Sequence, residues 1–216
     1  MSEYRPAPGT LLGEWEPSVC LDDGPRPGGR YAALPHGARR LQRVLSPRDC
    51  ARLVDALDQS GKAAPVNVTG HPYANGLLGS LRATAWSPEL ARQLWERVRY
   101  SVPHTRYMHD HVSTDWYALG PRLGHRRWRA VGLGPVLRFM RYREGGRHWA
   151  HYDMGFDYPD ERRSLMSLVF YLTDAKSGTG GATRLLGDGQ GHEQDYDGYP
   201  VNWHVNDPKL EESQGQ

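Results

Sequence analysis

A chain of 216 residues with 38% hydrophobic and 24% charged residues, 25 Gly and 16 Pro can bury a sizeable single core but is too turn-rich for a helical bundle. Its net charge of +2 supplies no overall field for nucleic acid or an anionic membrane, and no stretch approaches the roughly 18 apolar residues of a spanning helix. The opening MSEYRPAPGT lacks the basic-then-apolar layout of a secretion signal, and Cys20 and Cys50 have no metal-ligand spacing. Reduced thiols in a cytoplasmic protein are the expectation.

Residues 1–35, with RPAPG and DDGPRPGGR, show no sustained period and read as an irregular extension that wraps the domain or is partly mobile. Residues 36–216 form the domain. In LSPRDCARLVDALDQSG, Ser46 can cap a helix, Pro47 suits its first position, Asp49 lies in its first turn and Gly61 ends it. Leu53, Val54 and Leu57 share one face. A second helix opens alike in WSPELARQLWERVRY, with Ser87 as cap and Leu90, Leu94, Trp95 and Val98 on one side. APVNVTGHPYANGLLGS between them is a turn-rich connection, and residues 103–135 read as a long aromatic and basic loop. A strand run follows, VLRFMRY, RHWAHYD, LMSLVFYLT and GATRLL, with a core about 134–205 and one further candidate around Tyr199–Val205. Helices followed by strands suit an α+β domain.

Within RHWAHYD, residues i and i+2 of a strand share a face, so His151 and Asp153 project together and Tyr152 lies opposite. His148 falls on the other face from His151. An imidazole and a carboxylate side by side are two-thirds of a 2-His-1-carboxylate triad, which leaves coordination positions open for substrates and suits Fe(II). Alone, the pair is more often a surface ion pair or a catalytic decoration than a metal site.

The longer stretch LRFMRYREGGRHWAHYDMGFDYPDERRSLMSLVFYLTDAKSGTGGATRLL resembles the prolyl-4-hydroxylase-like branch of the Fe(II)/2-oxoglutarate-dependent dioxygenases. The likeness runs over about fifty residues, from the strand ending in Tyr142, through H-x-D, to YLTD and GGATR, and the two upstream helices look like that family's helical support. It implies a double-stranded β-helix, or jelly roll, on N-terminal supporting helices. His151 and Asp153 match the family's first two iron ligands; Tyr142, Tyr171 and Thr183 match positions lining the 2-oxoglutarate pocket. No catalytic side chain beyond the metal ligands is implied. The implied chemistry is hydroxylation of an unactivated C–H bond with O2, 2-oxoglutarate leaving as succinate and carbon dioxide and ascorbate as a supporting reductant. Tyr142, Tyr171 and Thr183 are also ordinary strand residues. Arg162 and Arg163 fall where a substrate-facing loop would lie and could grip a carboxylate, or simply decorate a solvated turn. Trp128, with Trp116, Arg126 and Arg127, is a candidate for a lid over the substrate.

The family also needs a late-strand histidine and a basic residue beyond it. His192 sits in a polar, glycine-rich run; His204, in PVNWHVND, lies in the last strand candidate, with Lys209 following Pro208. Either His204 completes the iron triad in a shortened barrel, or the chain carries an incomplete barrel lacking the last strands, with exposed edges. The second is favoured by the missing basic block. The leading expectation is an oxidoreductase, a hydroxylase of a small molecule or an amino acid, free or carrier-bound, with no nucleic-acid or membrane partner and no oligomeric state implied. Its rivals are a degenerate jelly roll acting as a binding or regulatory module, and a zinc hydrolase built on His109, His111 and Asp115.

Overall fold

The computed structural model describes residues 14–22, 31–35, 38–65, 80–102, 105–107, 127–144, 162–174 and 180–185, the pairs 193–194, 200–201 and 212–213, and the single residues 146, 153, 156, 158 and 160. In chain order the elements are β1 (Glu14–Trp15), β2 (Tyr31–Ala33), β3 (Arg39–Leu41), α1 (Pro47–Ser60), β4 (Ala64–Pro65), β5 (Ser80–Trp86), α2 (Pro88–Val98), β6 (Thr105–Tyr107), β7 (Arg127–Arg129), β8 (Val136–Tyr142), β9 (Thr183–Arg184), β10 (Glu193–Gln194), β11 (Pro200–Val201) and β12 (Glu212–Ser213).

Both helices begin where their caps lie. The Ser46 hydroxyl accepts from the Asp49 amide at 3.0 Å while the Asp49 carboxylate accepts from the Ser46 amide at 3.4 Å, so two otherwise orphaned donors are satisfied reciprocally. Gly61, at φ 62°, then turns the chain out of α1 and donates its amide to Asp58. At α2 the Ser87 hydroxyl accepts from the Leu90 amide at 3.2 Å, and the Ser87 amide donates to the Pro135 carbonyl at 2.9 Å. That second bond ties the helix start to the entry of β8.

β5 is the centre of a four-stranded mixed sheet. Along one edge it pairs antiparallel with all of β8, from Ser80 opposite Tyr142 to Trp86 opposite Val136. Its other edge is shared by β4, antiparallel at Leu81 and Arg82, and β1, parallel at Thr84 and Ala85. Strand alternation then sorts the side chains. Ala83 and Ala85 lie fully buried on the face that carries Phe139 and Leu137. Leu21, Leu53, Leu90 and Leu94 form the core there, with Leu137, Phe139, Phe170 and Leu172 packed against it. Each buried leucine contributes about 1.5–3 kcal/mol. Arg141 reaches Asp58 of α1 at 2.6 Å, and the Trp15 and Phe139 rings meet at 5.3 Å. The opposite face carries Ser80, Arg82, Thr84 and Trp86 beside Val136, Arg138, Met140 and Tyr142.

Three segments differ from their sequence reading. The turn-rich connection ends not in a loop but in β5, whose apolar positions Leu81, Ala83 and Ala85 alternate with Arg82 and Thr84; their small size gives a weak strand signal. The N-terminal extension is partly built in: β1 joins the sheet, and Leu21 is buried with its amide donating to Gln93 Oε1 at 2.8 Å. In the long loop, β6 and β7 pair antiparallel, with Arg106 opposite Trp128. LMSLVFYLT carries inward Phe170 and Leu172 but has no regular ladder partner among the described residues. β9 pairs with β12, and β10 with β11. Among the described residues no helix is long and apolar enough to cross a membrane.

Candidate functional site

Tyr142 ends β8 on the face away from the helices, about half exposed at 47%. Tyr171 lies between Phe170 and Leu172, and because those two pack inward its own ring is left outward, 50% exposed. Two consecutive left-handed glycines, Gly180 at φ 82° and Gly181 at φ 93°, turn the chain just before β9. Thr183 follows, and its hydroxyl meets the Tyr171 hydroxyl in a hydrogen bond. Burial pushes the Tyr142 phenol up, and the neighbouring Tyr171 adds to the shift. Tyr142 is therefore a protonated O–H donor at neutral pH. Three hydroxyls from three segments thus share one locality.

Asp153 is exposed. His151 and His204 lie outside the described residues, as do His148, His192, His109, His111, Asp115 and Lys209. Among the described residues no group of three His, Cys, Asp or Glu side chains gathers as a metal site. Trp128 lies within β7. Arg162 holds Asp160 through Nε, at 2.9 and 2.8 Å to the two carboxylate oxygens, and its guanidinium sits 5.1 Å from the Tyr158 ring centre. Its charge is thereby matched within its own turn. Arg163 is half-buried.

Tyr158 and Arg162 also close a cleft of about 200 Å³ against Ala91 and Trp95 of α2 and against Val131, Leu133 and Pro135. Beside the cleft, a Cβ on Gly134 would lie 2.7 Å from Tyr158 Oη, so a side chain there requires the tyrosine to shift. Gly134→Ala is expected to cost about 1–2 kcal/mol by overpacking, and less in a Tyr158→Phe background. A double-mutant cycle of urea unfolding measures that coupling.

The hydroxyl trio fits a carboxylate-bearing cosubstrate, since Tyr142 and the one of Tyr171 and Thr183 that accepts in their mutual bond each keep an O–H to donate to an anionic oxygen. Asp153 offers the hard oxygen ligand that Fe(II) accepts. Sequence reasoning missed Arg82 and Arg138, which lie on the same sheet face as Tyr142. The signal was present in the alternation of LRATAW and VLRFMRY, where both arginines fall on the phase opposite the alanines, Leu137 and Phe139. No family model matches the chain, nor does any curated protein or solved structure.

Proposed function

We propose that this chain is an Fe(II)- and 2-oxoglutarate-dependent hydroxylase acting on a small molecule or an amino acid, free or carrier-bound. The observation that supports the reading most is the gathering of Tyr142, Tyr171 and Thr183, three positions that the H-x-D stretch separately marks for the cosubstrate. The fold in this reading is a jelly roll whose helix-backed sheet contains β8. His151 and Asp153 would hold the iron; His204 is the third ligand only if the barrel is a shortened one rather than the incomplete one that the missing basic block favours.

Bound Fe(II) supplies the coupling of 2-oxoglutarate decarboxylation to C–H hydroxylation by O2. The protein's part is binding and orientation. Tyr142, kept protonated, donates a hydrogen bond to a carboxylate oxygen without adding a negative charge beside it. The Thr183 hydroxyl fixes the direction of the Tyr171 phenol, so that less rotamer freedom is lost when ligand arrives.

Anaerobic addition of Fe(II) and 2-oxoglutarate should produce a metal-to-ligand charge-transfer band, and air should then release succinate. Tyr171→Phe should weaken 2-oxoglutarate about tenfold, the value of one hydrogen bond to a charged group, read by titrating the band. His204→Ala should abolish the band if His204 is a ligand. Folded, iron-supplied protein giving neither band nor succinate overturns the proposal.

A further inference from the structure

Arginines on the helix side of the sheet are matched by acids. Arg97 bonds Asp49 at 2.9 Å, Arg141 bonds Asp58 at 2.6 Å, and Arg52 bonds Asp22 at 2.5 Å. The opposite face departs from this rule. There Arg82 stands opposite Met140, and the two residues flanking Met140 on that face are Arg138 and Tyr142. Diagonal neighbours across an antiparallel pair lie about 7–8 Å apart, within reach of long side chains. Arg82 is half-buried, and its Nε is buried without a hydrogen-bond partner. Among the described residues no acid pairs with either guanidinium, and the charge that Arg82 feels is the like charge of Arg138. Burial, and then Arg138, pull the Arg82 pKa down from its ordinary value. A guanidinium nevertheless stays charged at any physiological pH, so this is a half-buried cation whose Nε is shielded from water without a hydrogen-bond partner, at a cost in free energy.

An anion restores the balance, and the surroundings specify which kind. A planar fork accepts a carboxylate in bidentate fashion, a second guanidinium strengthens the field, and the Tyr142 hydroxyl stands ready as a neutral donor. We infer that Arg82 and Arg138 form a carboxylate subsite continuous with the Tyr142–Tyr171–Thr183 trio, taking the far end of a carboxylic acid ligand. This rests on the reading of the trio as a ligand pocket. It moves the charge-matching role to β5 and β8, the first long strand pair, and away from the late segment that contains Lys209. The acid has two possible sources, the cosubstrate's second carboxylate or an acidic substrate, and the chemistry is common to both.

The test starts on metal-free full-length protein, titrated calorimetrically with 2-oxoglutarate, with glutarate (two carboxylates and no 2-oxo group) and with pyruvate (a 2-oxo acid with one carboxylate). Glutarate and 2-oxoglutarate should bind, and Arg82→Gln should weaken both about tenfold or more; Arg138→Gln should weaken them by about threefold, as an exposed partner. Pyruvate should bind weakly and equally to all three proteins. Arg82→Lys should recover part of the loss. Because the cation is unmatched in the free protein, Arg82→Gln should leave the melting temperature unchanged or raised, whereas a structural arginine would lower it. Charge-transfer titration of iron-loaded protein then separates the sources. A weakened 2-oxoglutarate in Arg82→Gln assigns the carboxylate to the cosubstrate. An unchanged one, with glutarate binding to the iron and 2-oxoglutarate complex lost, assigns it to the substrate. Dicarboxylate affinities unaltered by Arg82→Gln, or no dicarboxylate binding by the unaltered chain, overturn the subsite. Absence of the band with Arg82-dependent glutarate binding retained would sink the hydroxylase and leave the subsite standing.

Discussion

Replacing Asp49 by alanine should destabilise the protein by about 3–5 kcal/mol, the range for removing one partner of a buried ion pair. Asp49 is fully buried and receives the Arg97 guanidinium at 2.9 Å, the Asp22 amide at 2.8 Å and the Ser46 amide at 3.4 Å. Arg97 also donates to the carbonyls of Val44 and Asp22. One carboxylate therefore joins the cap of α1, the end of α2 and the segment carrying Leu21, and its removal leaves a buried cation among carbonyls. Urea unfolding measures the loss, and Asp49→Ala with Arg97→Met should recover part of it, because the stranded charge is gone. Burial alone would raise the Asp49 carboxyl, but the Asp22 amide, Arg97 and the Ser46 hydroxyl outweigh it and hold the group below the usual carboxylate range. A depressed folded-state value means the contribution is complete above the unfolded value of about 4 and lost as pH falls through the lower folded one. The acid side of the stability profile, measured by urea midpoints from neutral pH downward, should therefore be shallower in Asp49→Asn.

Asp153→Ala carries the largest functional effect. Under the proposed hydroxylase it removes the one anionic ligand of the iron, so retained iron after desalting, the charge-transfer band and succinate release should all disappear, with activity down about a thousandfold or more. Asp153 is exposed but not without a partner, and an exposed polar or ionic contact is worth at most about 1 kcal/mol. Unfolding midpoints should thus differ by no more than that small amount. An unaltered band in Asp153→Ala would remove Asp153 from the ligand set and the proposed chemistry with it.

The legible parts of this chain are those whose cause is local. Ser46, Pro47, Asp49 and Gly61 announce α1 because capping is settled within a few residues, and Ser87 and Pro88 do the same for α2. VLRFMRY is readable because bulky alternation is itself a strand property. β5 is not, since Ala83 and Ala85 take their place from pairing with Phe139 and Leu137 of a strand some fifty residues further along the chain. β1 was hidden for a similar reason: two residues in a proline-rich stretch become a strand only when β5 offers them an edge. At the candidate site, Tyr142, Tyr171 and Thr183 could each be named from the H-x-D stretch, but the unmatched Arg82 emerges only when strand register shows what faces it. A missing counter-charge is a property of neighbours, and a linear string does not display neighbours.

The pairing of Ser80 with Tyr142 and of Trp86 with Val136 also governs how the chain reaches its fold. α2 and everything between it and β8 must be looped out before the first rung of that ladder closes, whereas α1 and α2 can form from contacts within a few residues. Loop closure of this kind slows the search without greatly altering the final balance, since doubling a flexible loop costs only about 0.6 kcal/mol. The ladder that this loop closure completes holds Arg82, Arg138 and Tyr142 at a fixed spacing.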